Sequence, residues 1–404
     1  MPAAPDGAGL DTVYLRWTWC RAVLHRGWWL VTSVYLVVDA RLSASELVLV
    51  GVAQSLVTLV FEVPAGVLAD TISRKWSLVA SHALMGSAML ATGLVTGFGP
   101  LVATQLLWGL SWTLASGADV AWITDELDAP ARVPVVLLRA GRAELTGAAA
   151  GMLGVGALAW LTRRGTAMVL AGTAMLLLGR YVVAAFPERR FVPAATRRWS
   201  ASWSILVRGS ALVRGSRAIL VMVAAALLAG GVTSAFGRLY PLRLVDLGLS
   251  ADPVAWVTAL GVLALLAGTL ALRAAQPHID DAAAARRGYV VACGVAAVGV
   301  LGLAAAPERT AGSAAMLLAA SALPLTRTIG TIWVNRQTGS DVRATVHSFL
   351  AQASALGTIA GGLAVAAVAR LAGLPLALAT CAALLAVTVV LVQRLGAPRA
   401  ARIP

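Results

Sequence analysis

Charge is scarce in this chain, and lysine is scarcest of all: Lys75 is the only one in 404 residues. Charged side chains make up 12% of the sequence against 59% hydrophobic ones. That balance excludes a soluble globular protein of this length. Cysteine is limited to Cys20, Cys293 and Cys381, scattered singly through apolar stretches, so neither a disulfide framework nor a zinc site is implied. The four histidines are dispersed and form no acid–base or metal constellation, which argues against an intramembrane enzyme. No G-x-x-x-x-G-K-S/T loop occurs, so direct drive by ATP is not expected. The N-terminus lacks a short apolar stretch with a small-residue cleavage site, and the first apolar run should stay in the mature protein.

What the chain does contain is a series of apolar runs of about 20 residues, each able to cross about 30 Å of hydrocarbon. Mean hydropathy is +0.83. Twelve spans are expected, beginning near Leu15, Glu46, Ser77, Leu101, Ala143 and Thr166 in the first half. In the second half they begin near Ile219, Pro253, Tyr289, Ser313, Val346 and Pro375. The fold expected is an all-α integral membrane protein with two six-helix halves, residues 1–186 and 218–404. A basic cytoplasmic linker, residues 187–217, joins them. Within it Trp199, Trp203, Leu206 and Val207 fall near helical spacing, which fits an amphipathic surface helix or a basic tether on anionic lipid.

The net charge of +14 is the kind of excess that nucleic-acid binders carry, but membrane topology explains it better. With both termini inside, the inner segments hold Arg74, Lys75, Arg132, Arg139, Arg189, Arg190, Arg197 and Arg198, among others. The outer segments hold few basic residues, such as Arg41, Arg163, Arg309 and Arg370. Basic residues favour cytoplasmic loops, so an N-in, C-in orientation is expected and a nucleic-acid partner is not. Arginine in place of lysine, with abundant alanine, fits a GC-rich bacterial genome, hence a multi-pass protein of the bacterial cytoplasmic membrane.

One short segment carries a motif. FEVPAGVLADTISRKWSLV places Gly66, Asp70, Arg74 and Lys75 at the spacing G-x-L-x-D-x-x-G-R-K, with Ser73 at the second glycine. It resembles the signature loop between the second and third helices of the major facilitator superfamily. SGADVAWITDEL, FGRLYPLRLVDLGL and DVRATVHSFLAQASALGTIAGG are similar to segments of actinobacterial members. The resemblance implies twelve helices, transport by alternating access, a monomer, and a latch for the outward-facing form built from Gly66, Asp70, Arg74 and Lys75. A weaker second copy follows the eighth span: His278-Ile279-Asp280-Asp281, then Arg286-Arg287. Drug exporters of the family carry a glycine-rich antiporter motif around a Gly-Pro pair. Span five has Gly147, Gly151 and Gly154 without the proline, and span four lacks the exporters' R-x-x-x-G arginine.

Ionisable groups inside spans are functional candidates by default. For proton coupling the order is Asp119, Glu62, Glu144, then His25. Arg21, Arg142, Asp125 and Glu126 lie near the same mouth, as an inner-gate network or a structural ion-pair cluster. Arg26 is deep in span one and needs a carboxylate or a wet cavity, or else the span starts later and Arg26 snorkels inward. His82 reads as a satisfied core histidine. Substrate-cavity candidates are Arg26, Trp29, Tyr35, Trp108, Trp112, Arg327 and Gln352. Trp28 and Trp29 are adjacent and cannot face the same way.

The function expected is secondary active transport, with proton-coupled efflux of amphiphilic small molecules. The alternatives are an importer of a specific metabolite on the same fold, or a non-transporting membrane protein. Partners are a small-molecule substrate, protons and membrane lipid; no cofactor is expected.

Overall fold

The computed structural model describes residues 7–129, 131–193, 215–248, 252–338 and 340–395, without the side chains of 7, 8 and 340–345. Among the described residues the regular structure is helical and no strand occurs. In chain order the first helices are α1 (Gly7–Val38), α2 (Ala44–Thr71), α3 (Arg74–Thr92), α4 (Phe98–Ala115), α5 (Ala118–Leu127), α6 (Val133–Leu161) and α7 (Arg164–Ala185). There follow α8 (Arg217–Asp246), α9 (Pro253–Ala275), α10 (Ala282–Ala305), α11 (Arg309–Gln337), α12 (Ser340–Ala372) and α13 (Leu374–Gln393). The linker side chains Trp199, Trp203, Leu206 and Val207 lie outside the described residues.

Nine described helices are long and apolar enough to cross a membrane by length and composition. The long helices outside that set are α1, α3 and α4, of which α1 and α4 carry the candidate tryptophans Trp29, Trp108 and Trp112. Several helices, such as α3, α7 and α11, begin on polar residues before their apolar run. Ser43 and Glu46 form a reciprocal box at α2, with Ser43 N donating to Glu46 Oε2 at 2.8 Å and Glu46 N to Ser43 Oγ at 3.4 Å. Ser73, Ser216 and Asp281 cap α3, α8 and α10.

Two expectations change. Gly66 to Asp70 do not form a loop but the last turns of α2; only Ile72 and Ser73 separate it from α3. Span four is broken: Gly117, at φ +78°, takes the left-handed conformation that ends a helix, and α5 restarts at Ala118.

The chain divides into two compact units. One comprises residues 1–41, 56–198 and 254–258; the other comprises 42–55, 199–253 and 259–404. In the first, α1 packs on α6, and α3 packs on α7 and α4. In the second, α8 packs on α12, and α10 packs on α13 and α11. Counting spans within each half gives the same pairings, first with fifth, third with sixth and third with fourth.

Glycine makes the first-with-fifth contact in both units. A Cβ on Gly151 would sit 2.1 Å from the Val23 carbonyl oxygen, and one on Gly147 2.7 Å from that of Trp19. A Cβ on Gly357 would sit 1.8 Å from the Leu227 carbonyl oxygen, and one on Gly231 2.6 Å from that of Gly357. Close backbone approach of this kind is how membrane helices gain packing without a hydrophobic drive between them. Gly154, the third glycine of the span-five pattern, meets nothing within 4 Å. Large apolar side chains such as Leu138, Leu153, Leu177, Leu270 and Val298 point outward, as a hydrocarbon solvent permits.

Candidate functional site

Helical spacing sorts the side chains of α1 onto two faces. Trp19, Val23 and Gly27 lie against the glycines and Val155 of α6. About 200° round the helix stand Trp17, Arg21, His25 and Trp29, four residues apart. On α4, Trp108 and Trp112 are also four apart, and the two stripes meet. His25 stacks on Trp108 with centroids 5.4 Å apart and planes at 19°. Trp112 lies 5.6 Å from His25 and 5.7 Å from Trp108, and Trp29 lies 5.4 Å from Trp108. The Arg21 guanidinium sits 5.4 Å from the Trp112 ring and 5.2 Å from that of Trp17, within cation–π range. Trp28, fully buried, stacks on Trp108 with centroids 6.5 Å apart and planes at 14°, and donates to the Met89 carbonyl at 3.2 Å.

The charged candidates flank this aromatic cluster. Arg21 pairs with Asp119 at 3.5 Å. Asp119 stands in the first turn of α5, where its charge complements the helix N-terminus. Arg26 and Glu144 are 3.9 Å apart and both about half exposed. Glu62 on α2 is half-buried, with no ion pair among the described residues.

Not every candidate joins the cluster. Tyr35 is buried near the end of α1 and donates to the Val95 carbonyl at 3.0 Å. Arg327 on α11 is exposed and Gln352 on α12 half-buried, both in the second unit. His82 is buried in the core, accepting from Trp17 Nε1 at 3.1 Å with its Nδ1 2.8 Å from the Leu78 carbonyl.

The motif residues build a second centre at one end of the first unit. Arg74 reaches Asp70 at 3.3 Å, the Ala121 carbonyl at 3.0 Å, and the Asp125 carboxylate. One guanidinium thereby ties α2, α3 and α5. Ser73 caps α3 by accepting from Trp76 N at 3.0 Å, and its hydroxyl donates to Glu188 at 2.5 Å. The other Glu188 oxygen accepts from Lys75 N at 3.0 Å. Glu126, buried, accepts from the amides of Arg189 and Arg190 at 2.8 and 2.9 Å, and Trp122 donates to the Pro187 carbonyl at 2.7 Å. Arg190 also pairs with Asp128. The stretch from Pro187 to Arg190 is therefore strapped to α3 and α5. A cleft of about 540 Å³ opens beside it, lined by Thr124, Asp125, Asp128, Val133, Pro134 and Arg190. Gly66 meets nothing that a Cβ would strike, so no steric demand there explains a glycine.

Two elements escape sequence reasoning. Glu188 is the lone acid in the basic stretch PERRF, and only its position just after α7 signals a role. Arg238 looks like a topology charge, but it is buried in α8 and donates to Gln54 of α2 at 2.5 Å within the second unit. A Cβ on Gly51 would sit 2.3 Å from Arg238 Nε, so the glycine leaves room for the guanidinium.

Among the described residues the chain is helical, with membrane-length helices, internal carboxylate–arginine pairs and the Asp70–Arg74 centre, and with the family match these mark a membrane transporter rather than an enzyme. The sequence profile of the Major Facilitator Superfamily matches residues 20–362, and the chain belongs to that family. Among solved structures it is similar to the nucleoside transporter NupG, with a TM-score of 0.77 and 15% identity, covering 96% of this chain and 100% of that one. It is similar to the peptide transporter POT at a TM-score of 0.72 and 14% identity, covering 96% and 93% of the two chains. A bacterial homolog of the human lysosomal transporter Spinster, inward-facing and unoccupied, gives 0.69 and 14% over 96% and 95%. At these identities the likeness concerns the fold. No curated protein sequence matches the chain.

Proposed function

We propose that the protein is a secondary active transporter that works by alternating access and exports amphiphilic small molecules in exchange for protons. It crosses the bacterial cytoplasmic membrane twelve times, α4 and α5 counting as one broken span, with both termini inside, and acts as a monomer. The observation that carries this reading is the Arg74 centre, where one cation holds Asp70 and Asp125 from different helices. An interhelical ion pair of this kind can form in one gate state and separate in the other, so it biases a two-state equilibrium. Gly66 and Lys75 complete the latch by their place in the motif. Asp119 is the leading coupling carboxylate because its partner Arg21 is 3.5 Å away and both are mostly buried. Protonation of Asp119 would release Arg21, which supplies the alternation that coupling needs. Glu62, Glu144 and His25 follow in that order.

Energised accumulation of a varied amphiphile panel in an efflux-deficient bacterial host tests this, with wild type and Asp70→Asn compared at matched expression. Lower accumulation with wild type, lost on collapsing the proton gradient, supports export. Higher accumulation with wild type favours the alternative, an importer of a specific metabolite. No difference for any compound overturns the export of amphiphiles.

A further inference from the structure

An arginine set in an apolar surface needs a counter-charge or a polar layer to reach. In the second unit, arginines gather where the start of α10 meets the end of α13, two helices that pack on each other. Arg286 donates to the Val392 carbonyl at 3.4 Å, an oxygen that also accepts from Leu395 N as α13 closes. That bond brings the Arg286 guanidinium to the turn that holds Arg394, and Arg287 is its neighbour in the chain. Arg287 and Arg394 are exposed, and none of the three has an ion pair among the described residues. The acids nearest to Arg287 in sequence, Asp280 and Asp281, pair with none of them, and Asp281 is taken up in accepting from Ala284 N at 2.6 Å. Each exposed arginine also heads an apolar stripe. On α10, Val291, Val298 and Leu301 follow Arg287 on one face. On α13, Val387 and Val390 precede Arg394 on one face. All five side chains are exposed. Val298 stands about 16 Å along the axis from Arg287 at 1.5 Å per residue, roughly the hydrocarbon depth of one leaflet.

We propose that this end of the α10/α13 pair is a binding site for a phospholipid with an anionic headgroup, of the phosphatidylglycerol kind. The phosphodiester oxygens accept from the exposed Arg287 and Arg394 guanidinium groups, whose planar forks suit phosphate. Arg286 is a positioning residue. It holds the last turn of α13 to α10 and adds positive charge, while its Nε is enclosed and takes no part in binding. One acyl chain lies along Val291 and Val298, the other along Val387 and Val390. Charge and chain both enter the fit: a zwitterionic headgroup leaves the arginines undercompensated, and a soluble phosphate leaves the stripes uncovered. A lipid held this way staples the two helix ends together. The site rests on the membrane-spanning reading, and on the proposed orientation it belongs to the inner leaflet, where anionic lipid attracts basic clusters.

Native mass spectrometry of the purified full chain in detergent, titrated with dioleoylphosphatidylglycerol, tests the site. One adduct should saturate before any other, and dioleoylphosphatidylcholine should bind there about tenfold more weakly. Glycerol 3-phosphate, a headgroup without chains, should not displace the lipid. These arms use wild type alone and stand whatever the variants do. An arginine beside an anionic headgroup is worth about fivefold in affinity. Replacing both Arg287→Gln and Arg394→Gln should therefore weaken the adduct about twentyfold. Arg309→Gln with Arg370→Gln removes equal charge from exposed positions at the start of α11 and the end of α12, and should bind as wild type does. Phosphatidylglycerol should raise the unfolding midpoint of wild type and of this control but not of the site variant. Equal binding of the two lipids, displacement by glycerol 3-phosphate, or equal loss in the two double variants would each overturn the proposal. The adduct is read without a proton gradient, so a chain that holds the lipid and moves nothing would sink the exporter reading and leave the site standing.

Discussion

Arg74 and Glu188 do different work within a few ångströms. Arg74 joins three helices through charge, whereas Glu188 holds the α3 N-terminus through Ser73 and the Lys75 amide. A carboxylate there satisfies an otherwise unpaired amide and complements the positive helix end. Glu188 also gives a physical reason for serine at the position where the family motif has glycine: the hydroxyl both caps α3 and engages the strap. Glu188→Ala and Ser73→Gly should each destabilise the first unit by about 1 kcal/mol. Because the two share one interaction, the double variant should cost less than their sum in thermal unfolding in detergent. Strict additivity would mean that the pair is not coupled. Asp119→Asn should abolish pH-gradient-driven transport in proteoliposomes while leaving substrate exchange. Survival of the pH dependence would make Asp119 structural and turn attention to Glu62.

At the scale of elements, the glycine seams decide helix spacing. Gly151 and Gly154 lie on the same helix three residues apart, and only the first touches α1. Gly151→Ala should therefore push α1 from α6 and cost about 1–3 kcal/mol by overpacking, whereas Gly154→Ala should be neutral within about 0.5 kcal/mol. Unfolding midpoints of the purified variants check the contrast, and equal midpoints would refute the seam. The break at Gly117 belongs to this scale as well. It ends α4 just past the tryptophans and starts α5 at Ala118, so the coupling candidate Asp119 stands in the first turn of a helix. Discontinuous helices at transport sites commonly use their free ends in this manner.

For the whole molecule, the matching pairings of α1 with α6 and α8 with α12 express an internal repeat more clearly than the loops do. The second copy of the loop differs in kind: Asp281 caps α10, while Arg336 reaches the Asp280 and Ile279 carbonyls rather than a carboxylate. Among the described residues, paired charge at this place is therefore confined to the first copy. Asp70→Asn should slow transport severalfold while the protein still inserts and folds, as measured by initial rates at matched membrane levels. Unchanged rates would remove the gating role.

Hydrophobic runs and the Asp70–Arg74 spacing are local properties, and they were legible because membrane insertion obliges each span to satisfy its own backbone within one helix. The same locality made the family resemblance readable from the chain alone. It did not reveal that Gly66 to Asp70 is helical, since a polar stretch at a helix end looks like a loop when the capping partner is unknown. Nor could it reveal which of Gly151 and Gly154 touches a neighbour, that Tyr35 turns to Val95 rather than to the aromatic face, or that Arg238 is buried against Gln54. Glu188 meeting Ser73, and His25 meeting Trp108, join residues 115 and 83 positions apart in the chain. The amino-acid sequence by itself determined which segments are long and apolar and which charges those segments carry. Only the tertiary structure decided which of those charges and rings meet, because helices of nearly uniform apolarity choose neighbours by close packing and by hydrogen-bond satisfaction, and both depend on several spans at once.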